Sequence, residues 1–159
     1  MKEKIERVTF DVTPKVRMRV ISENDSKELV KEKKKFPFKL DNHVIVTVFT
    51  SLRKFSFRIK ASYIWNGADI PKTLFIFGQS KDNHYLIASM IHDFLLEKKD
   101  FIYKEVLKEC IEICEYRRLT SLIFREILKM HKTNVIKANC MAWAVDFFQT
   151  TVNKRAWKI

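Results

Sequence analysis

The sequence predicts an α+β fold, with a small antiparallel β-sheet from the N-terminal half packed against a C-terminal bundle of about four helices. Two periodicities lead to this reading. Apolar residues alternate at every second position up to about residue 65, and recur at helical spacing from about residue 82 onward. A third observation sets the number of domains. Only two Gly and three Pro occur in 159 residues, which leaves little material for a flexible linker. Residues 1–159 therefore read as one domain, mainly β over 1–65 and mainly α over 82–152. Thirteen Phe and three Trp supply large pieces of its core.

The elements follow in order. Val8, Phe10 and Val12 alternate, and after Pro14 so do Val16, Met18 and Val20. The polar stretch Ser22 to Lys35 suits a loop or a short exposed helix. His43 to Phe49 is a β-branched run suited to a buried strand. Thr50 to Arg53 then makes a hairpin connection. Phe55, Phe57, Ile59, Ala61, Tyr63 and Trp65 alternate with mostly polar residues and form the clearest strand signal. The strand ends at "NGADIP", Asn66 to Pro71, where Asn-Gly favours a tight turn and Pro71 holds Ile70 extended.

Four helices are expected beyond this turn. Asp82 or Asn83 caps the first, which runs through Glu97. Asp100 caps a second through about Glu115, with Val106, Leu107, Cys110, Ile111 and Cys114 at helical spacing. A third covers Leu119 to Met130. A fourth covers Val135 to Thr151, where Ala138, Met141, Ala142, Val145 and Phe148 form a stripe.

Composition narrows the function classes. Cys110, Cys114 and Cys140 are an odd number, which argues against a disulfide framework. Reduced, buried thiols are the expectation, since no further His or Cys stands at a usual metal-site spacing. The N-terminus lacks the apolar core of a signal peptide, and no run reaches a membrane-spanning length. The net charge of +12 raises polyanion binding. The dense stretch is "KEKKKFPFK", which makes Lys31, Lys33, Lys34, Lys35 and Lys39 the candidate residues. A solvated surface segment explains the same run.

The segment "YLIASMIHDFLLE", Tyr85 to Glu97, is apolar nearly all round yet carries His92 and Asp93 in its middle. Such a helix is central in a fold. A buried carboxylate and imidazole then need partners. Consecutive helical side chains diverge by about 100°, so the pair does not face itself. Ser89, one turn earlier, is better placed. Asn66 and Asp69 of the strand-ending turn are the expected partners from elsewhere. The functional reading makes His92 a general base, with Asp93 as orienter or ion ligand and Asn66 or Asp69 completing the site. The structural reading has the same groups holding the turn onto the helix.

"KASYIWNGADIP" followed by "YLIASMIHDFLL" resembles the uncharacterised phage and bacterial family called domain of unknown function 1353. Ala68, Pro71, Ala88, His92, Asp93 and Leu95 match its pattern, and "MAWAVDFF" with Trp157 is similar to its closing helix. The resemblance spans about Phe55 to Trp157. The chain departs from the pattern at Asn66, Asp69, Leu96 and Ser121, where the family carries Asp, Ser, Tyr and Asp. The resemblance implies a phage or prophage setting, often among tail and lysis genes, and no established chemistry.

The function expected first is a phage- or prophage-encoded accessory or virion (tail)-associated protein, its His–Asp site structural or vestigial. The alternative is a hydrolase acting on a cell-envelope component through His92 and Asp93. A further alternative is a basic protein that binds nucleic acid or another polyanion. Expected partners are other phage or virion proteins, in the host cytoplasm or on the particle. No cofactor is expected, with a divalent cation at Asp93 and Asp69 left open.

Overall fold

The computed structural model describes residues 3–66, 83–108 and 110–151, apart from the side chains of Asn83 and His84. The architecture is α+β, with two small antiparallel sheets in the N-terminal half and helices mostly in the C-terminal half.

The first sheet has the order β1 (Ile5–Phe10), β4 (Val44–Thr50), β5 (Lys54–Ile59). Its register explains its stability. Val44, Val46 and Val48 lie opposite Ile59, Phe57 and Phe55, so these six side chains share one face, while Ile45 and Phe49 stand half-buried on the other. All six are buried. The hairpin closes as expected at Thr50 to Arg53, where the Thr50 N–H donates to the Arg53 carbonyl at 2.8 Å. The Thr50 hydroxyl accepts from the Arg53 N–H at 2.9 Å, a side-chain mimic of a backbone turn.

The second sheet was not legible as a separate unit. Its order is β2 (Val16–Met18), β3 (Phe38–Leu40), β6 (Ile64–Trp65). The alternating run from Phe55 to Trp65 is therefore two strands in two sheets, not one. It breaks at Lys60 to Tyr63, where Ser62 takes the left-handed conformation with φ 72°. Alternation carries on in phase across this turn, so periodicity alone hides it. Leu40 of β3 stabilises the break: its carbonyl accepts from Ser62 N–H at 2.7 Å, and its N–H donates to the Tyr63 carbonyl at 2.9 Å. Between the strands, α1 (Lys27–Lys35) is a short surface helix with no fully buried residue, capped by the Ser26 hydroxyl accepting from Leu29 N–H.

Helix α2 (Asn83–Glu97) matches the first expected helix, although Asp82 lies outside the described residues. The second expected helix is not continuous. The chain makes a single turn, α3 (Lys99–Phe101), then a π-helical turn (Ile102–Val106), and only resumes at α4 (Ile113–Met130). This path buries both Ile102 and Leu107, which outweighs the helical spacing of the cysteines. Cys110 and Cys114 are consequently exposed, contrary to the expectation of buried thiols, and all three cysteines are free. Helix α5 spans Val135–Thr151 as expected.

Helix α4 packs against α2, α5 and β1 and so ties the two layers together. Its Tyr116 hydroxyl donates to the Leu95 carbonyl of α2 at 2.7 Å in the buried core. On the other side of α2, Phe94 stacks on Phe57 of β5 with centroids 5.7 Å apart. Among the described residues no helix is long and apolar enough to cross a membrane. Phe57→Ala should cost about 3–5 kcal/mol in a urea titration, and Phe57→Leu less than about 1.5 kcal/mol. A loss below about 1 kcal/mol from Phe57→Ala would show that the contact with Phe94 is not what joins sheet to helix.

Candidate functional site

Helix α2 is buried along most of its circumference, which forces its polar residues into the interior. His92 is 3% exposed and the Asp93 side chain 21%. The imidazole Nδ1 lies 3.7 Å from Asp93 Oδ1, beyond hydrogen-bond distance. The ring's edge-on neighbour is Phe124 of α4, at 5.8 Å and 70°. His92 Nε2 is buried and makes no hydrogen bond among the described residues.

Ser89 does not serve this pair. Its hydroxyl accepts from the Trp65 indole N–H at 3.2 Å and donates to the Leu86 carbonyl at 3.0 Å. The serine therefore fastens β6 onto α2. Asn66 accordingly lines the same cleft as His92 and Asp93. Asp69, Ala68 and Pro71 lie outside the described residues.

The cleft has a volume of about 330 Å³. Tyr63, Trp65 and Asn66 form one wall, His92, Asp93 and Glu97 of α2 a second, and Val145, Phe148 and Gln149 of α5 a third. Tyr63 stacks on Trp65, with centroids 6.1 Å apart, and donates its hydroxyl to Glu97 at 3.1 Å. Burial, and then the negative charges of Glu97 and Asp93, push the Tyr63 hydroxyl far above its ordinary value. Although the chain has a net charge of +12, no Lys or Arg is among the described residues that line this cleft, whereas two carboxylates are.

Gln149, Glu97 and Tyr63 were not singled out from the sequence. Gln149 had a signal. It is the polar member of the buried stripe Ala138, Ala142, Val145, Gln149, and a glutamine on a core face needs a reason. Tyr63 and Glu97 had none, because only the chain reversal at Ser62 brings them together.

The candidate polyanion residues do not form one patch. Lys31, Lys34 and Lys35 are exposed on α1, but Lys33 is turned inward. Its ammonium lies 2.6 Å from Asp25, donates also to the Val20 carbonyl, and holds the Asp25 carboxyl below its usual range. Lys39 is half-buried on β3. Among the described residues no group of three or more His, Cys, Asp or Glu side chains is gathered to hold a metal ion. A cation shared by Asp93 and Asp69 involves a residue outside those described.

Residues 44–145, from β4 into α5, match the family model described as protein of unknown function, DUF1353. The chain belongs to this family. Within the DUF1353 match lie the hairpin that supports the cleft, all of α2 and the His–Asp pair. No curated protein and no solved structure matches the chain.

Ser89→Ala leaves the buried Trp65 N–H without an acceptor and should cost about 1–3 kcal/mol in urea unfolding. A change within about 0.5 kcal/mol would show that the bond does not secure β6. The Tyr63 hydroxyl gives a second check. Its proton is held more tightly in the folded state, so its contribution is constant below its ordinary value of 10.0 and is lost as the pH rises above that. Tyr116 is shifted the same way by burial. Stability measured from pH 8 to pH 12 should fall above about pH 10, and less steeply in Tyr63→Phe. An identical slope in the variant would place the alkaline loss elsewhere.

Proposed function

We propose that this DUF1353 member is a phage- or prophage-encoded accessory protein whose cleft is hydrolytic, with His92 as general base. One observation carries the reading: a buried imidazole nitrogen, Nε2, is left without a hydrogen-bond partner among the described residues, in a ring that lines a cleft. An unmet buried polar group costs about 1–3 kcal/mol, and a purely structural histidine gains nothing by it. A base that takes a proton from water needs that nitrogen's lone pair uncommitted to another protein group.

The surroundings suit acyl chemistry on a neutral or amine-bearing substrate. Two carboxylates and the rings of Tyr63, Trp65 and Phe148 attract a cation and disfavour an anion. Asn66 and Gln149 bring amide groups to the lining, where an N–H can meet a developing oxyanion. In the proposed step, Nε2 takes one proton from water while the water oxygen bonds to the acyl carbon. When the intermediate collapses, the C–N bond breaks and the imidazolium returns the proton to the leaving nitrogen. Asp93, whose Oδ1 lies 3.7 Å from Nδ1, orients the ring. An amide in an envelope polymer such as peptidoglycan fits both this chemistry and the tail and lysis setting that the family resemblance implies.

The test uses purified peptidoglycan and counts newly released amino groups. The wild-type chain should release them, His92→Gln should reduce the rate at least about 100-fold, and Asp93→Asn by less. His92→Leu separates the roles further. If Nε2 is held for catalysis, this apolar replacement abolishes release yet unfolds at the same or higher urea concentration. Destabilisation by more than about 2 kcal/mol, with no release from the wild type, would make His92 a structural residue and sink the hydrolytic reading.

A further inference from the structure

A second cavity, of about 630 Å³, lies between the edge strand β5 and the end of α2. Its size is within the roughly 300–1,000 Å³ range of small-molecule sites. Phe57, Phe94, Phe101 and Val106 make it apolar. Arg58, Lys60 and Lys98 stand around it, with no carboxylate among the described lining residues. Three features set the place apart from ordinary surface.

Phe101 is 57% exposed, a large ring left in water at the cavity. It sits immediately before the π-helical turn Ile102–Val106, a distortion that recurs at functional sites because it redirects side chains. On the opposite side, Ser62 takes its left-handed conformation where the chain turns away from β5. Arg58 is the third feature. The other described arginines each have a carboxylate within 4.0 Å or, for Arg7, an aromatic ring beneath the guanidinium. Among the described residues Arg58 has neither, and Lys60 next to the same cavity likewise pairs with no carboxylate.

We propose that this cavity binds one anionic amphiphile, an apolar chain or ring that ends in a carboxylate. The apolar body replaces water over the exposed Phe101 ring and lies along the lining that Phe57, Phe94 and Val106 complete, and the carboxylate meets Arg58 and Lys60. A neutral apolar ligand would leave both cations without a counter-charge. A cationic ligand would be repelled by them. The site is separate from the His92 cleft, although Tyr63 lines both. It does not depend on the hydrolytic reading.

Decanoate, kept below its micelle concentration, is the probe, with decylammonium and decanol as charge-reversed and neutral counterparts. Titration of the full chain, followed by calorimetry and by aromatic NMR, should show saturable one-to-one binding of decanoate, with shifts at Phe94 and Phe101. Arg58→Glu combined with Lys60→Glu should weaken it about tenfold or more, and raised salt should weaken it in the wild type. Both residues are exposed, so unchanged urea unfolding checks that the double variant is folded. The proposal fails if decylammonium or decanol binds as well as decanoate, or if the double variant binds decanoate undiminished. It fails equally if the chain binds only anionic vesicles and not monomeric decanoate.

Discussion

The hydrogen bond from the Trp65 indole to Ser89 is the constraint on which the cleft depends. It joins the last two-residue strand to the central helix, and it does so inside the core, where a missing partner is costly. Strand β6 is too short to hold its position through ladder bonds alone. The indole adds a polar contact at its edge and packing contacts on its faces, against Phe38 and Tyr63. Trp65 thus holds Asn66 at the cleft that His92 lines.

The rest of the scaffold serves the burial of α2. A helix apolar nearly all round has no stable solvent face, so it must be covered from several directions. The β4–β5 hairpin covers one side through the Phe57–Phe94 stack, and α4 covers another through Phe124 and Tyr116. Helix α5 closes the cleft with Gln149 but does not fill it. A volume is left where three elements meet, and the polar groups of α2 are what line it.

Charge is distributed against the average of the chain. The net charge of +12 is spread over the surface, where many cations are paired locally, as in Lys33 with Asp25 and Arg19 with Glu32. The His92 cleft gathers carboxylates, and the second cavity gathers cations. The two sites share Tyr63 yet have opposite local fields. Total charge is therefore a poor guide to ligand here, because screening limits its reach to about 10 Å and the nearest groups decide.

Much of the fold was readable in one dimension. Alternation and helical spacing marked β1, β4, β5, α2, α4 and α5, since burial on one face imposes a period on the sequence. The His–Asp pair was visible for the same reason, as two titratable residues where the period called for apolar ones. The broken helix after Glu97 was not visible. There the burial of Ile102 and Leu107 won over helical continuity, a competition that involves residues far apart in the chain. Nor did the sequence show the split between β5 and β6, the capture of Ser89 by Trp65, or the placing of Gln149 on the same cleft as His92. Local periodicity reports which side of an element is buried, and it carries no information on which other element does the burying. That choice belongs to packing in three dimensions, and it is what made a cleft out of a polar pair.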